Sequence, residues 1–149
     1  MSEPLSDTPA PAGDERPVRI VIGENNADLA VTLSVLLDAE VDMRCVAIAS
    51  SKQSVLAAID THAPNAFILD LSLDDGSSLP LIAELRTRLP AAVIVIFTGH
   101  QNDWLNEQCL RAGADAVVIK TGEFEQLTSA VRQAAVRRDT LRQQAASEG

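Results

Sequence analysis

Five short runs rich in Val, Ile and Ala, each followed by a longer segment with helical spacing, limit what this chain can fold into more than any other feature. The runs are VRIVIG (18 to 23), MRCVAIA (43 to 49), NAFILD (65 to 70), AVIVIF (92 to 97) and DAVVIK (115 to 120). Their composition favours buried parallel strands. Between them Leu29, Leu33, Leu36 and Leu37 recur at helical spacing, as do Val55, Ala58 and Ile59, then Leu81, Ile82 and Leu85. Trp104, Leu105 and Leu110 mark a fourth helix stopped at Gly113, and Phe124, Leu127, Val131 and Ala134 begin a fifth. Short connections between such pairs imply right-handed crossovers. The expected fold is therefore α/β: a doubly wound, five-stranded parallel sheet covered on both faces.

Composition agrees with this pattern. Hydrophobic residues make up 46% of the chain but aromatics only 3%, with no Tyr, so the core must be built from Ala, Val, Leu and Ile. A length of 149 residues suits one domain. Residues 1–17, MSEPLSDTPAPAGDERP, have four prolines and almost nothing large to bury, and are expected to form a disordered tail. Residues 18–138 are then the folded unit, and 139–149 a fraying helix end and tail. The net charge of −9 argues against direct binding of nucleic acid through the overall field. Cys45 and Cys109 lie in apolar segments that suit reduced, buried thiols, which points to a cytoplasmic protein. The longest strongly apolar stretch, AAVIVIF at 91 to 97, is too short to span a bilayer, so no membrane association is expected.

In doubly wound sheets chemistry gathers at the carboxyl ends of the strands. Here the first strand ends in Gly23-Glu24-Asn25-Asn26, the third in Asp70, the fourth in Thr98-Gly99 and the fifth in Lys120, one of two lysines in the chain. A nucleophilic carboxylate, oxygen ligands for a hard cation, a hydroxyl and an ammonium on one edge are what phosphoryl transfer needs. Each residue alone has a blander reading. Asp70 could be a turn residue, Asn26 is a good helix cap, Thr98 could satisfy a backbone group, and lysine is usually solvated. His62 and His100 have no metal-ligand spacing to each other or to the cysteines, and surface roles suit both. Trp104 reads either as core or, if exposed, as part of a docking face.

The segments FILDLSLDDG, VIVIFTGH and GADAVVIK, in this order, resemble the phosphoacceptor, switch-hydroxyl and lysine segments of response-regulator receiver domains, over residues 18 to about 138. The resemblance implies a flavodoxin-like fold with strand order 2-1-3-4-5, and a phosphorelay role. Asp70 would attack the phosphorus of a phosphohistidine carried by a histidine kinase or a histidine phosphotransfer protein. Mg²⁺ would be held by Asp70, Glu24, Asn25 and the backbone carbonyl of Ser72. Lys120 would pair with a phosphoryl oxygen, and the Thr98 hydroxyl would move to bond another. The downstream partner is not named by the sequence, and a homodimer is left open, as is an output domain beyond residue 149.

The chain departs from the family at four positions. Asn25 stands where a second carboxylate is usual, which predicts weaker Mg²⁺ binding, partly offset by Glu24. Val117 replaces the aromatic ring that often reports the switch, so any output must travel through the backbone near Thr98 to His100. Asp74 and Thr121 replace prolines. These departures raise the alternative of a pseudo-receiver, a protein-binding module that takes no phosphate. A turnover phosphatase is disfavoured by Ser72, where a second acid would be wanted, and a dinucleotide enzyme by the lack of G-x-G-x-x-G after the first strand.

Overall fold

Alternate residues of the central strands fill two separate cores. In β1 (Val18–Gly23) Ile20 and Ile22 face one way and Val21 the other, and in β3 (Ala66–Leu69) Ala66 and Ile68 are divided from Phe67 and Leu69. In β6 (Val93–Thr98) Val93, Val95 and Phe97 are likewise divided from Ile94 and Ile96. A strand whose two faces are both apolar must be covered twice, because side chains alternate along it. The computed structural model, which describes residues 17–99 and 102–148, provides both covers. Helices α1 (Ala27–Asp38) and α5 (Phe124–Glu148) place Ala30, Leu33, Leu37, Leu127, Val131 and Ala134 in one core. Helices α2 (Lys52–His62), α3 (Leu79–Arg88) and α4 (Asp103–Ala112) place Val55, Ala58, Leu81, Ile82, Leu85 and Cys109 in the other. Each fully buried Ile or Leu contributes about 1.5–3 kcal/mol.

With β2 (Met43–Ala49) and β7 (Ala116–Ile119), these strands form a five-stranded parallel sheet in the order β2-β1-β3-β6-β7. Counting only those five, this is the expected order 2-1-3-4-5. The register of β1 on β2 shifts between Ile20 and Val21, which pair with Cys45 and Ala47. Gly23, at the end of β1, sits against its neighbours so closely that a Cβ there would lie 2.8 Å from Leu69 Cδ2. Gly113 closes α4 at φ 124°, a backbone conformation that favours glycine.

One element was not expected from the sequence. After β3 the chain makes a small antiparallel hairpin of β4 (Ser72–Leu73) and β5 (Gly76–Ser77) before entering α3. Helix α5 continues past Arg138 through Glu148. The expected tail, apart from Pro17, lies outside the described residues, as does His100. Both cysteines are free, Cys109 buried and Cys45 half-buried, and burial pushes the Cys45 thiol up to about 11. Among the described residues no helix is long and apolar enough to cross a membrane.

Candidate functional site

Three charged side chains begin where three strands stop pairing. Glu24, Asp70 and Lys120 each follow the last residue of a strand, and each still donates its backbone N–H to a neighbouring strand: Glu24 to Ala49 O (2.9 Å), Asp70 to Gly23 O (2.8 Å) and Lys120 to Thr98 O (2.7 Å). The sheet ladder therefore fixes the backbone of all three, while the side chains leave at the carboxyl edge. Parallel strands order these ends side by side, and residues 24, 70 and 120 meet although far apart in sequence.

Lys120 bridges the two carboxylates. Its Nζ lies 2.9 Å from Glu24 Oε1 and 3.0 Å from Asp70 Oδ2. The other oxygens accept backbone donors: Asn26 N–H reaches Glu24 Oε2 at 3.1 Å, and Ser72 N–H reaches Asp70 Oδ1 at 3.3 Å. Glu24 is only 3% exposed. Burial raises its pKa, outweighing the hydrogen bonds from Lys120 and Asn26 that lower it. Burial also works against the Lys120 charge, but the bonds to Glu24 and Asp70 prevail and raise its pKa, so it stays protonated. The ammonium also lies 6.0 Å from the centre of the Phe97 ring, at the outer limit of a cation–π contact.

Beside this cluster is a cleft of about 630 Å³ whose walls include Asp70, Ser72, Thr98, Asn102 and Lys120. Thr98 is buried at the end of β6. A larger hollow of about 930 Å³ lies at the opposite edge of the sheet, against Pro17, Pro64, Pro90 and the guanidinium groups of Arg19 and Arg138. Those guanidiniums are already engaged, Arg19 by the carbonyls of His62 and Ala63 and Arg138 by Asp115. The smaller cleft is the one that adjoins the Glu24, Asp70 and Lys120 cluster.

The structure thus brings Glu24, Asp70 and Lys120 into direct contact and puts Ser72 and Thr98 on the adjoining cleft. Asn25 is exposed and is not part of the cleft wall. Its neighbour Asn26 caps α1 by accepting Leu29 N–H at 3.0 Å, as its residue type suggested. Val117 packs half-buried against the α2–α3–α4 core, and Trp104 is 68% exposed on α4, which decides its alternatives against the core. Sequence reading passed over the role of the hairpin turn. Asp75 reaches from it to the first turn of α2, accepting Lys52 N–H at 2.7 Å and Gln53 N–H at 3.2 Å, while Asp74 N–H bonds Ser50 O at 2.9 Å. The Lys52 bond leads in lowering the pKa of Asp75. The Asp-Asp-Gly turn signal was available, but not its target at the start of α2.

Glu24, Asp70, the Asn25 amide and the Ser72 carbonyl are all oxygen donors, which suits a hard divalent cation in kind. Two carboxylates are near each other here, and among the described residues no group of three or more His, Cys, Asp or Glu side chains is arranged to hold a metal. The donor types are those that a hard divalent cation takes, with two carboxylates among them.

Comparison with known proteins agrees with this geometry. Residues 20–132 match the family model described as response regulator receiver domain. The chain is 30% identical over 116 residues to the oxygen regulatory protein NreC of Staphylococcus haemolyticus, covering 77% of this chain and 54% of that protein. It is 29% identical over 112 residues to the DNA-binding transcriptional activator DevR/DosR of Mycobacterium tuberculosis, covering 75% and 52%. It thus spans about half the length of these relatives. A CheY-like receiver domain protein from Methanospirillum hungatei superposes with a TM-score of 0.75 at 20% identity, over 83% of this chain and 98% of that one, a likeness of fold. A matched family model over most of the chain, the 2-1-3-4-5 sheet and the acid and lysine cluster at its carboxyl edge lead to one assignment: the chain belongs to the response regulator receiver domains of two-component signalling.

Proposed function

We propose that this domain is a phosphorylation switch in which Asp70 accepts a phosphoryl group from the phosphohistidine of a histidine kinase or histidine phosphotransfer protein. The observation that carries the reading is the Lys120 ammonium held between Asp70 and the buried Glu24, at 3.0 and 2.9 Å. Two acids sharing one lysine leave the site short of positive charge. Such a site favours a divalent cation and, once that is bound, an anionic phosphoryl group.

In this mechanism an Asp70 carboxylate oxygen forms a bond to phosphorus while the phosphorus–nitrogen bond of the donor breaks, and the donor imidazole leaves with that electron pair. Asp70, Glu24, Asn25 and the Ser72 carbonyl would hold Mg²⁺, which would supply positive charge to offset that of the carboxylate and the phosphoryl group. Lys120 releases part of its hold on Asp70 and pairs with a phosphoryl oxygen, and Thr98 donates its hydroxyl to another. The movement of Thr98 shifts the loop after β6 and the start of α4. Since Val117 has no ring to swing, output travels by backbone displacement, and the exposed Trp104 on α4 is a ready contact for the downstream protein. The switch occupies residues 18–138, works in the cytoplasm, and acts as a signalling domain with no further substrate to turn over.

The pseudo-receiver reading rests on Asn25, because the lost carboxylate weakens the hold on the metal. The two separate cleanly. With acetyl phosphate and Mg²⁺, intact mass should rise by about 80 Da, the mass of one phosphoryl group. The gain should be absent in Asp70→Asn. No gain at any Mg²⁺ concentration establishes the pseudo-receiver instead.

A further inference from the structure

Ser78 occupies the N-cap position of α3, where a serine hydroxyl ordinarily accepts an N–H from the helix's own first turn. It makes no such bond. The preceding residue takes a first-turn donor in its place, since Ser77 Oγ accepts Leu79 N–H at 3.2 Å. The Ser78 hydroxyl is turned away from its helix and donates to the main-chain carbonyl of Asp70 at 2.6 Å, while its backbone N–H bonds Leu71 O at 2.9 Å. Ser78 is fully buried, so its hydroxyl has no solvent to turn to. A buried hydroxyl that gives up a favourable cap for another partner has that partner as its role.

We infer that Ser78 is a positioning residue for Asp70: its hydroxyl fixes the Asp70–Leu71 peptide plane and through it the direction of the phosphoacceptor carboxylate. The sheet fixes only the other side of this residue, because the Asp70 N–H is bonded to Gly23 O while the Asp70 carbonyl lies past the end of β3. With the N–H held by β1 and the carbonyl by Ser78, rotation about both backbone bonds of Asp70 is restrained. The same restraint sets the Ser72 N–H that meets Asp70 Oδ1, and the distance to Lys120. Without the hydroxyl the peptide is free to tilt, and the carboxylate loses its aim at both. Small displacements of a reacting group can cost up to about 100-fold in rate.

This inference rests on the phosphoacceptor reading for its kinetic consequence, but not for its structural one. Two readouts are made on Ser78→Ala, with Ser78→Gly as a second variant lacking the hydroxyl and Ser78→Thr as one that keeps it. The first is the ¹³C resonance of the Asp70 backbone carbonyl and of its side-chain carboxylate. The second is the dependence of the phosphorylation rate on acetyl phosphate concentration at saturating Mg²⁺. In Ala and Gly both resonances are expected to move, and the maximal rate to fall about 10-fold with the KM for acetyl phosphate nearly unchanged. Thr is expected to restore the resonances and most of the rate. A carbonyl that shifts while the carboxylate does not, or a parental rate in the Ala and Gly variants, overturns the positioning role. If the unsubstituted protein takes up no phosphoryl group, the proposed function fails, and the carboxylate resonance of the variants alone still decides the role of Ser78.

Discussion

Two buried carboxylate sites lie at opposite edges of the same sheet, and their charge balance is reversed. At the amino-terminal edge, Asp115 has a side chain 1% exposed and faces three guanidiniums, Arg86 at 3.2 Å, Arg138 at 2.7 Å and Arg137 at 3.6 Å. It also accepts Ile94 N–H at 2.8 Å, and Arg86 continues to the carbonyls of Gly113, Pro90 and Ala92. At the carboxyl edge two acids, Glu24 and Asp70, share one lysine. The first site has more cation than acid and ties α3, β6, β7 and α5 together. The second has more acid than cation and borders a cleft. A cluster saturated with opposite charge has nothing left to bind, whereas an under-neutralised one has a reason to take up a cation.

The largest expected effect breaks the first site. Asp115→Asn leaves three arginines without their carboxylate and should cost about 3–5 kcal/mol of stability, read from urea unfolding midpoints. By the same measurement Asp70→Asn should cost no more than about 1 kcal/mol, because Lys120 keeps Glu24 as a partner. Equal losses at the two edges would erase the distinction between them.

Removing the shared cation gives the next largest effect. Lys120→Met leaves Glu24 and Asp70 facing each other without an ammonium, and should destabilise the fold by about 2 kcal/mol in the absence of divalent ions. Millimolar Mg²⁺ should recover a larger part of that loss than it adds to the unsubstituted protein, since a ligand that binds the folded state stabilises it by mass action. Asn25→Asp sharpens the comparison from the other direction. Restoring a carboxylate should tighten Mg²⁺ binding about tenfold, equivalent to about 1.4 kcal/mol. Isothermal titration calorimetry measures this directly, with Trp104 fluorescence as a second reporter.

The smallest effect concerns an exposed ion pair. Arg132 on α5 holds Asp42 at 2.8 Å and Glu40 at 2.6 Å, and its hydrogen bond leads in lowering the Asp42 pKa below the ordinary 3.8. An acid with a depressed folded pKa contributes stability above its unfolded pKa and loses it as pH falls through the folded one. As pH falls below about 4, unfolding midpoints should therefore drop less steeply in Arg132→Ala, by a fraction of a kcal/mol given the exposure.

The sheet was legible because buried parallel strands leave an unusual trace, runs such as AVIVIF and DAVVIK with no polar face. The residues closing those runs were legible for the same reason, since a strand end is where a buried run turns polar. Glu24, Asp70, Thr98 and Lys120 were singled out in this way, and the structure places all four at the carboxyl edge of the sheet. What could not be read was structure made by few residues or by distant partners. The β4–β5 hairpin has two residues in each strand, too few for any periodicity. Asp115 opens the run DAVVIK, and its arginines come from positions 86, 137 and 138 on two helices. Ser78 carries no sequence signal that its hydroxyl turns to the Asp70 carbonyl, eight residues before it.

In the proposed switch the under-neutralised edge receives a phosphoryl group on Asp70. The most direct measurement treats the protein with acetyl phosphate and Mg²⁺, reduces the product with borohydride, and locates the modified residue by tandem mass spectrometry. Homoserine is expected at position 70, formed only when Mg²⁺ is present and in larger yield in Asn25→Asp. Modification at another residue, or none with Asp70, Glu24 and Lys120 all intact, would contradict it.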